Sequence, residues 1–288
     1  ASDANHDGEV KESSRTESDE DIDRQQLLLM QQHLHESFVI HKPRDIVSGD
    51  FYWAQPKEKG LLLASVDCSG HGVPGALLSL LAFNNLNRTV TEFQLQQPHE
   101  ILDKLNALMA ESLHEHQASP GSDTLDVAIC LVDQSGQHLH YAGANSSIFV
   151  VQSIGMESVN LMDKVSAAAQ KVTLPEHPFK LTEVKADKHP IDGLPTKHGF
   201  TSHEIDLHAG DSVYFVTRGF ANQFGGERGK KFKINRLKQL ILFHQDKSMA
   251  ALKEVLEQTF DEWKGDLEQI DDLCMIGFRI PEGGSGNS

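Results

Sequence analysis

The chain has 288 residues, of which 39% are hydrophobic and 24% are charged, so it is long enough to bury a substantial core. Its formal net charge of −16 argues against a surface for nucleic acid or anionic membrane, because either would need clusters of basic residues. Three distant cysteines form no CxxC pair, which excludes a disulfide framework and a zinc ribbon and fits a reducing cytoplasm. The sequence shows neither a long apolar window nor a signal-peptide pattern, which predicts a soluble cytoplasmic chain.

The amino-terminal part of the chain divides into a charged segment and a more apolar one. Residues 1–20 carry many charges and almost no large apolar side chain, which predicts a disordered acidic tail. Residues 21–36 carry an apolar stripe on a glutamine-rich segment, which predicts a helix. This helix is either a plain core or linker helix, or a regulatory helix that pairs two copies of the chain as a homodimer. Residues 37–281 are predicted to form one domain, followed by a flexible tail over 282–288.

Short apolar or alternating segments predict ten strands in the central domain. They cover 37–43, 50–55, 61–67, 124–133, 138–145, 147–152, 179–185, 201–207, 212–217 and 273–280. Helices are predicted over 73–93, 98–116, 235–243 and 248–264. Turn-like connections such as DQSGQ and HAGD favour antiparallel pairing. Two groups of strands separated by pairs of helices predict an α+β fold, in which two antiparallel sheets pack together and carry helices outside.

Acidic residues at strand ends are the strongest chemical signal in the sequence. Asp50 begins a predicted strand, and Asp67 ends the apolar strand LLLASVD. Asp271 and Asp272 lie directly before the last strand. Isolated acids at such places are usually turn formers or helix caps. Three acidic strand ends without an equal number of basic partners nearby favour instead hard divalent cations held by oxygen ligands.

Other site chemistries have little support in the sequence. The sixteen histidines include no HExxH, which argues against a zinc enzyme. The chain lacks GxGxxG and GxxxxGK[ST] for nucleotides and GxSxG for a serine nucleophile. Cys68 has acidic neighbours that raise the pKa of a thiol, so covalent catalysis is not predicted.

Eight segments stand out in order along the chain: KPRDIVSGDFYW, SVDCSGHGVPGALLSLL, LDVAIC, YAGAN, KHPI, TRGFANQFGG, GKKF and DDLCMIGFRI. From about Phe38 to Ile280, their order and spacing resemble the SpoIIE/RsbU branch of the metal-dependent protein phosphatases, the PPM or protein phosphatase 2C-like family. This resemblance implies a four-layer αββα sandwich with a two-metal Mn²⁺ or Mg²⁺ centre between the sheets. It also implies dephosphorylation of phosphoserine or phosphothreonine in bacterial signalling.

The resemblance extends to partners and to site residues. The substrates of such domains are often anti-sigma-factor antagonists with a STAS fold, and the domain is commonly the output of an upstream sensor or receiver domain. By position, Asp67 is expected to bridge the two metals, and the backbone carbonyl of Cys68 to bind one of them. Asp50 is expected to hold that same metal directly or through water, and Asp271 the other, with Asp272 as a neighbour. The implied reaction is direct hydrolysis by a metal-activated water.

One position departs from the family pattern. The strand VYFVT runs into Arg218, where the family normally has the aspartate of an Asp-Gly pair, a second ligand of the metal at Asp271. The guanidinium is expected to reach the cluster of Asp50, Asp67 and Asp271; alternatively it points to solvent or to the substrate phosphate. The leading prediction is a phosphatase whose activity Arg218 reduces. The alternatives are a pseudophosphatase that binds a partner without turnover and a variant inactivated by engineering.

Overall fold

A computed structural model of the chain describes residues 17–115, 123–154 and 178–281. The predicted carboxy-terminal tail over 282–288 and most of the predicted amino-terminal tail, residues 1–16, lie outside the described residues. No helix in the described ranges is long and apolar enough to cross a membrane. The three cysteines are all buried and unpaired.

The described residues form helices and strands in an order that alternates short blocks of each. The helices are α1 (Glu17–His33), α2 (Gly72–Thr91), α3 (Pro98–Glu115), α4 (Arg218–Asn222), α5 (Ile234–Phe243) and α6 (Met249–Lys264). The strands are β1 (Glu36–Lys42), β2 (Phe51–Lys57), β3 (Gly60–Cys68), β4 (Leu125–Asp133), β5 (His138–Ala144), β6 (Ile148–Ser153), β7 (Phe179–Val184), β8 (His203–Asp206), β9 (Ser212–Val216), β10 (Phe224–Gly225), β11 (Lys230–Lys231) and β12 (Leu273–Arg279).

Ten of these strands form two five-stranded antiparallel sheets. Sheet I has the order β1-β12-β9-β6-β7, and sheet II has the order β2-β3-β4-β5-β8. The short strands β10 and β11 form a separate hairpin. The two sheets pack face to face over one apolar core, while α2 and α3 cover sheet II and α5 and α6 cover sheet I. The predicted α+β fold with its four-layer αββα sandwich is therefore confirmed.

Strand β3 shows why the apolar runs in the sequence are continuous. Leu61 and Leu63 belong to the core between the sheets, whereas Leu62 and Ala64 face the core beneath α2 and α3. Because both faces of the sheet are covered, neither set of alternating side chains is exposed to solvent. The continuous run LLLASV follows from this burial on both faces.

The structure differs from the prediction at the ends of one helix and in three very short elements. Helix α1 covers Glu17–His33 instead of 21–36, because the chain from Glu36 already pairs with β12, with Glu36 opposite Arg279. Helix α4 and the hairpin of β10 and β11 were not predicted, because five-residue and two-residue elements are too short to show periodicity.

Helix α1 is part of the core of the domain. Met30 is fully buried and Leu34 is 7% exposed, and both belong to the core between the sheets. The side chain of Gln26 accepts a hydrogen bond from the backbone N–H of Ala54, on the edge strand β2. These contacts support the interpretation as a core helix, and its proposed role in a homodimer stays a prediction.

Met30→Ala is expected to lower the free energy of unfolding by about 2–5 kcal/mol, because it removes a fully buried side chain and leaves a cavity. Leu28→Ala on the same helix is the matched control: Leu28 is 50% exposed, and its loss should change stability by no more than about 0.5 kcal/mol. Urea unfolding followed by circular dichroism measures both. Equal, small effects would mean that α1 is only loosely attached.

Candidate active site

Strand ends from both sheets meet at one edge of the sandwich and bring charged side chains together. The four aspartates predicted from the sequence all lie there, together with a fifth. We call these five residues the acidic cluster: Asp50, Asp67 and Asp126 from sheet II, and Asp271 and Asp272 from sheet I. Arg218, which directly follows the end of β9 and Thr217, lies against the same cluster.

Arg218 binds the carboxylate of Asp67 through both of its oxygens. Nη2 of Arg218 lies 2.8 Å from Oδ1, and Nε lies 3.0 Å from Oδ2. The backbone N–H of Arg218 also donates to Oδ2, at 3.2 Å, and Nε lies 3.7 Å from Oδ2 of Asp126. The Asp67 side chain is 6% exposed and the Arg218 side chain 55% exposed. The guanidinium is therefore turned inward, at the rim of the site, rather than out to solvent.

The backbone around Arg218 fixes its position. The hydroxyl oxygen of Thr217 accepts a hydrogen bond from the backbone N–H of Cys274 at 2.8 Å, which ties the end of β9 to β12. Gly219 packs directly against the backbone of Asp272, and a Cβ at this position would collide with the Asp272 carbonyl. A glycine after Arg218 therefore lets α4 begin beside the residues that precede β12.

Asp126 is a site residue that the sequence analysis missed. It lies directly opposite Asp67 in the pairing of β3 with β4, and Nδ2 of Asn145 donates to its Oδ1 at 2.9 Å. The pKa of Asp126 is raised, chiefly by burial, although the hydrogen bond from Asn145 and the charge of Arg218 act in the opposite direction. A signal was present in the sequence, since a carboxylate within the apolar run TLDVAIC is rarely buried without a partner.

Asp272 stabilises the loop between β1 and β2. Its Oδ1 accepts from the backbone N–H of Arg44 and its Oδ2 from the backbone N–H of Gly49, both at 2.7 Å. A Cβ at Gly49 would lie 2.9 Å from the carbonyl oxygen of Gly70, so a side chain there would prevent this close approach. Asp271 beside it is more exposed, and its Oδ1 accepts from the Asp272 backbone N–H at 3.1 Å.

Asp272→Ala is expected to lower the free energy of unfolding by about 2–4 kcal/mol, because two backbone N–H groups, one buried and one partly buried, lose charge-assisted hydrogen bonds. Asp271→Ala removes the neighbouring charge without exposing those groups and should cost less than about 1 kcal/mol. Chemical unfolding without metal ions compares the two variants. If the two losses were equal, Asp272 would not have this structural role.

Asp50 is buried within the cluster and incompletely bonded. It is 3% exposed, and its Oδ2 has no hydrogen-bond partner among the described residues. Burial raises the pKa of Asp50 well above its ordinary value, and the charge of Asp67 raises it further. On the other side, Nε2 of His41 lies 3.0 Å from the Asp50 carbonyl, and Nδ1 of His41 lies 3.4 Å from Oδ2 of Asp23 on α1. Helix α1 is thus connected to Asp50 through one histidine.

Cys68 can contribute its backbone carbonyl oxygen to the site, but not a reactive thiolate. Burial raises the pKa of the Cys68 thiol well above its ordinary value, and the charges of Asp50 and Asp67 add to the effect. A nucleophilic thiolate is therefore disfavoured. The Cys68 carbonyl oxygen lies 3.5 Å from the place where a Gly49 Cβ would be, so it faces the loop that carries Asp50.

These residues match a two-metal centre only in part. The unpartnered Asp50 oxygen and the Cys68 carbonyl are the kind of donors that hard divalent cations prefer. Both Asp67 oxygens, however, are bonded to Arg218. Across the described residues, no group of three or more His, Cys, Asp or Glu side chains is arranged to hold a metal ion. With Arg218 in this position, the residues do not fit the two-metal centre that the resemblance implies.

Comparison with known proteins identifies the family. The sequence profile of the Stage II sporulation protein E (SpoIIE) family matches residues 57–281. The chain belongs to this family. No protein of curated function matches the chain significantly in sequence. The predicted relationship to SpoIIE and RsbU is therefore confirmed at the level of the family.

Solved structures with the same fold include several phosphatase domains. The SiaA-PP2C domain of Pseudomonas aeruginosa is 26% identical, with a TM-score of 0.70 over 91% of the SpoIIE-family chain and 97% of that domain. The PP2C phosphatase domain of SpoIIE from Bacillus subtilis, with a fragment of its regulatory domain, is 15% identical, with a TM-score of 0.62 over 86% of this chain and 64% of that one. RsbX in complex with magnesium is 13% identical, with a TM-score of 0.54 over 84% and 94% of the two chains.

Proposed function

We propose that this SpoIIE-family chain is a protein phosphatase domain of a bacterial signalling pathway, that it acts on phosphoserine or phosphothreonine, and that Arg218 lowers its activity. The proposal rests on one observation, the acidic cluster at the strand ends of both sheets in a PP2C-like fold. The metal ion that such hydrolysis requires would be Mn²⁺ or Mg²⁺, and it would have to displace Arg218 from Asp67. Because Arg218 makes two charge-assisted hydrogen bonds to that carboxylate, hydrolysis should need high metal concentrations or a partner that displaces the guanidinium.

An apolar groove beside Asp50 supports a protein substrate over a small phosphate ester. The groove has a volume of about 350 Å³, and its lining includes Ile46, Val73 and Leu77. These three side chains are 66%, 66% and 64% exposed. Contiguous exposed apolar side chains commonly mark protein-binding surfaces. We propose a phosphorylated STAS-domain anti-sigma-factor antagonist as the partner, in the cytoplasm, under the control of an upstream sensor or receiver domain.

A second candidate function is a binding module that recognises a phosphorylated or unphosphorylated partner without turnover. The ion pair between Arg218 and Asp67 favours this candidate, because it neutralises the carboxylate that the phosphatase mechanism requires. In this case the chain would be a pseudophosphatase, either natural or inactivated by engineering.

Phosphate release from phosphoserine, phosphothreonine and phosphotyrosine peptides, measured as Mn²⁺ rises from micromolar to millimolar, tests the proposal. We expect slow release from the first two that increases throughout the millimolar range, and none from the third. Binding of phosphoserine peptides without release at any metal concentration would favour the second candidate. Neither binding nor release would exclude both.

A further inference from the structure

A basic hairpin lies next to the acidic cluster. We give this name to residues 224–233, which comprise β10, β11 and their connections. The segment has four basic residues and one acidic residue, in a chain whose formal net charge is −16. All four basic side chains are exposed, and no ion pair joins any of them to a carboxylate of the described residues: Arg228, Lys230, Lys231 and Lys233.

The basic hairpin is fixed to the segment that carries the site. The backbone N–H of Phe232 donates to the carbonyl of Gln223 at 2.9 Å, which closes the base of the hairpin. Gln223 is fully buried: its Nε2 donates to the Glu268 carbonyl at 2.9 Å, and its Oε1 accepts from the backbone N–H of Ile270 at 3.2 Å. Ile270 is followed directly by Asp271, which is a member of the acidic cluster. Buried hydrogen bonds therefore connect the base of the hairpin to the segment that leads into the acidic cluster.

The distance along the chain from Arg218 to the hairpin is also short. Helix α4 begins at Arg218 and ends at Asn222, so its length at a helical rise is only about 7.5 Å. Oδ1 of Asn222 accepts from Nζ of Lys231 at 3.0 Å. On the far side, Gly226 packs against the indole ring of Trp263 on α6 and donates to its carbonyl at 2.8 Å. These contacts hold the backbone of the hairpin in place, a short way along the chain from Arg218.

The positive charge of the basic hairpin affects how an anionic partner approaches the acidic cluster. A phosphorylated partner is anionic, and it must approach a site with five aspartates and one arginine on a chain of net charge −16. Unpaired cations at the edge of such a site attract the acidic partner and orient it during encounter. We propose that the basic hairpin is a docking surface for an acidic region of the phosphorylated protein partner, next to its phosphorylated residue. This inference rests on the proposed function.

The same features disfavour nucleic acid as the ligand. Nucleic-acid binding usually neutralises many phosphates along a continuous basic surface, and only four cations are gathered in this hairpin. The acidic cluster beside it would repel a chain of phosphates. An acidic protein segment with a single phosphate needs only a local patch of positive charge, and this is what the hairpin provides.

Arg228→Glu/Lys230→Glu tests the inference, because no hydrogen bond or ring contact holds these two side chains within the described residues. The probe is a fluorescent phosphoserine peptide flanked by glutamates, compared with the same peptide flanked by glutamines. Fluorescence anisotropy at low and at high salt gives the Kd values. We expect the double variant to raise the Kd of the glutamate peptide at least about tenfold at low salt, and to change the glutamine peptide little. High salt should remove most of the difference.

Lys59→Glu/Lys247→Glu is the matched control, with the same change in net charge. Lys59 lies in the turn between β2 and β3, at the opposite end of β3 from Asp67, and the Lys247 carbonyl accepts from Arg279 at the far end of β12. This variant should keep the Kd of the glutamate peptide within about twofold of wild type. An equal loss in both double variants, or no loss in the hairpin variant, would overturn the inference. So would tighter binding of a single-stranded oligonucleotide than of the peptide, lost in the hairpin variant alone.

Hydrolysis of p-nitrophenyl phosphate with Mn²⁺ separates this inference from the proposed function. The ester is too small to reach the basic hairpin, so its hydrolysis should be the same in the hairpin variant and in the control. Absence of hydrolysis in every protein, with the peptide discrimination intact, would count against the phosphatase and leave the docking surface standing. Hydrolysis of the ester without discrimination between the two peptides would support the phosphatase and overturn the docking surface.

Discussion

Arg218→Asp is expected to raise the Mn²⁺-dependent turnover of a phosphoserine peptide at least about tenfold, because one ligand contact in the transition state is worth roughly 1.4 kcal/mol or more. The change removes the guanidinium from both oxygens of Asp67 and adds a carboxylate where the family normally has one. Initial rates of phosphate release over a range of Mn²⁺ concentrations measure the effect.

Arg218→Ala is the control that separates the two parts of this change. It frees Asp67 without supplying a new ligand, so its turnover should lie between those of the wild type and Arg218→Asp. Without metal ions, Arg218→Asp should also be less stable than wild type, since the cluster gains a charge and loses its cation. Mn²⁺ should restore that stability. Fast turnover by the wild type at low metal, unchanged in Arg218→Asp, would contradict this account of Arg218.

Asp67→Ala, made in the Arg218→Asp background, is expected to reduce phosphate release by at least about a hundredfold, or about 3 kcal/mol of transition-state stabilisation. The reason is that, with Arg218 replaced, Asp67 would be free to hold the metal ions that activate the attacking water. Asp246→Ala in the same background is the control, because Asp246 follows Gln245, whose side chain bonds Ser212 at the opposite end of β9 from Arg218. Mn²⁺-dependent turnover that persists in the Asp67→Ala variant would remove the two-metal assignment.

Most of the fold could be predicted from the sequence because each of the two sheets is covered on both faces. The continuous apolar run of β3 and the long helices α2 and α3 reflect burial that leaves a clear pattern. Helix α4 and the basic hairpin leave no such pattern. Their geometry depends on tertiary contacts, such as the buried bonds of Gln223 and the packing of Gly226 on Trp263.

The candidate site was predictable in part for a related reason. Asp50, Asp67 and Asp271 lie at strand ends, and strand ends can be located from the apolar runs that they terminate. Asp126 is instead one residue inside a strand, and only the register of β3 with β4 reveals that it faces Asp67. The sequence predicts that the Arg218 guanidinium reaches the acidic cluster, and the structure places it on Asp67. Contact with solvent or with the substrate phosphate stayed open as alternatives, because carboxylate, solvent and phosphate contacts all suit an arginine at that position.

Direct titration with Mn²⁺ by isothermal calorimetry, on the wild type, Arg218→Ala and Arg218→Asp, tests the central claim that Arg218 occupies the place of a divalent cation in the acidic cluster. The account predicts that affinity rises in that order, with at least about a tenfold difference in Kd between the wild type and Arg218→Asp. Equal Mn²⁺ affinity in all three proteins would contradict it, because an arginine that blocks the cation site cannot be removed without effect on cation binding.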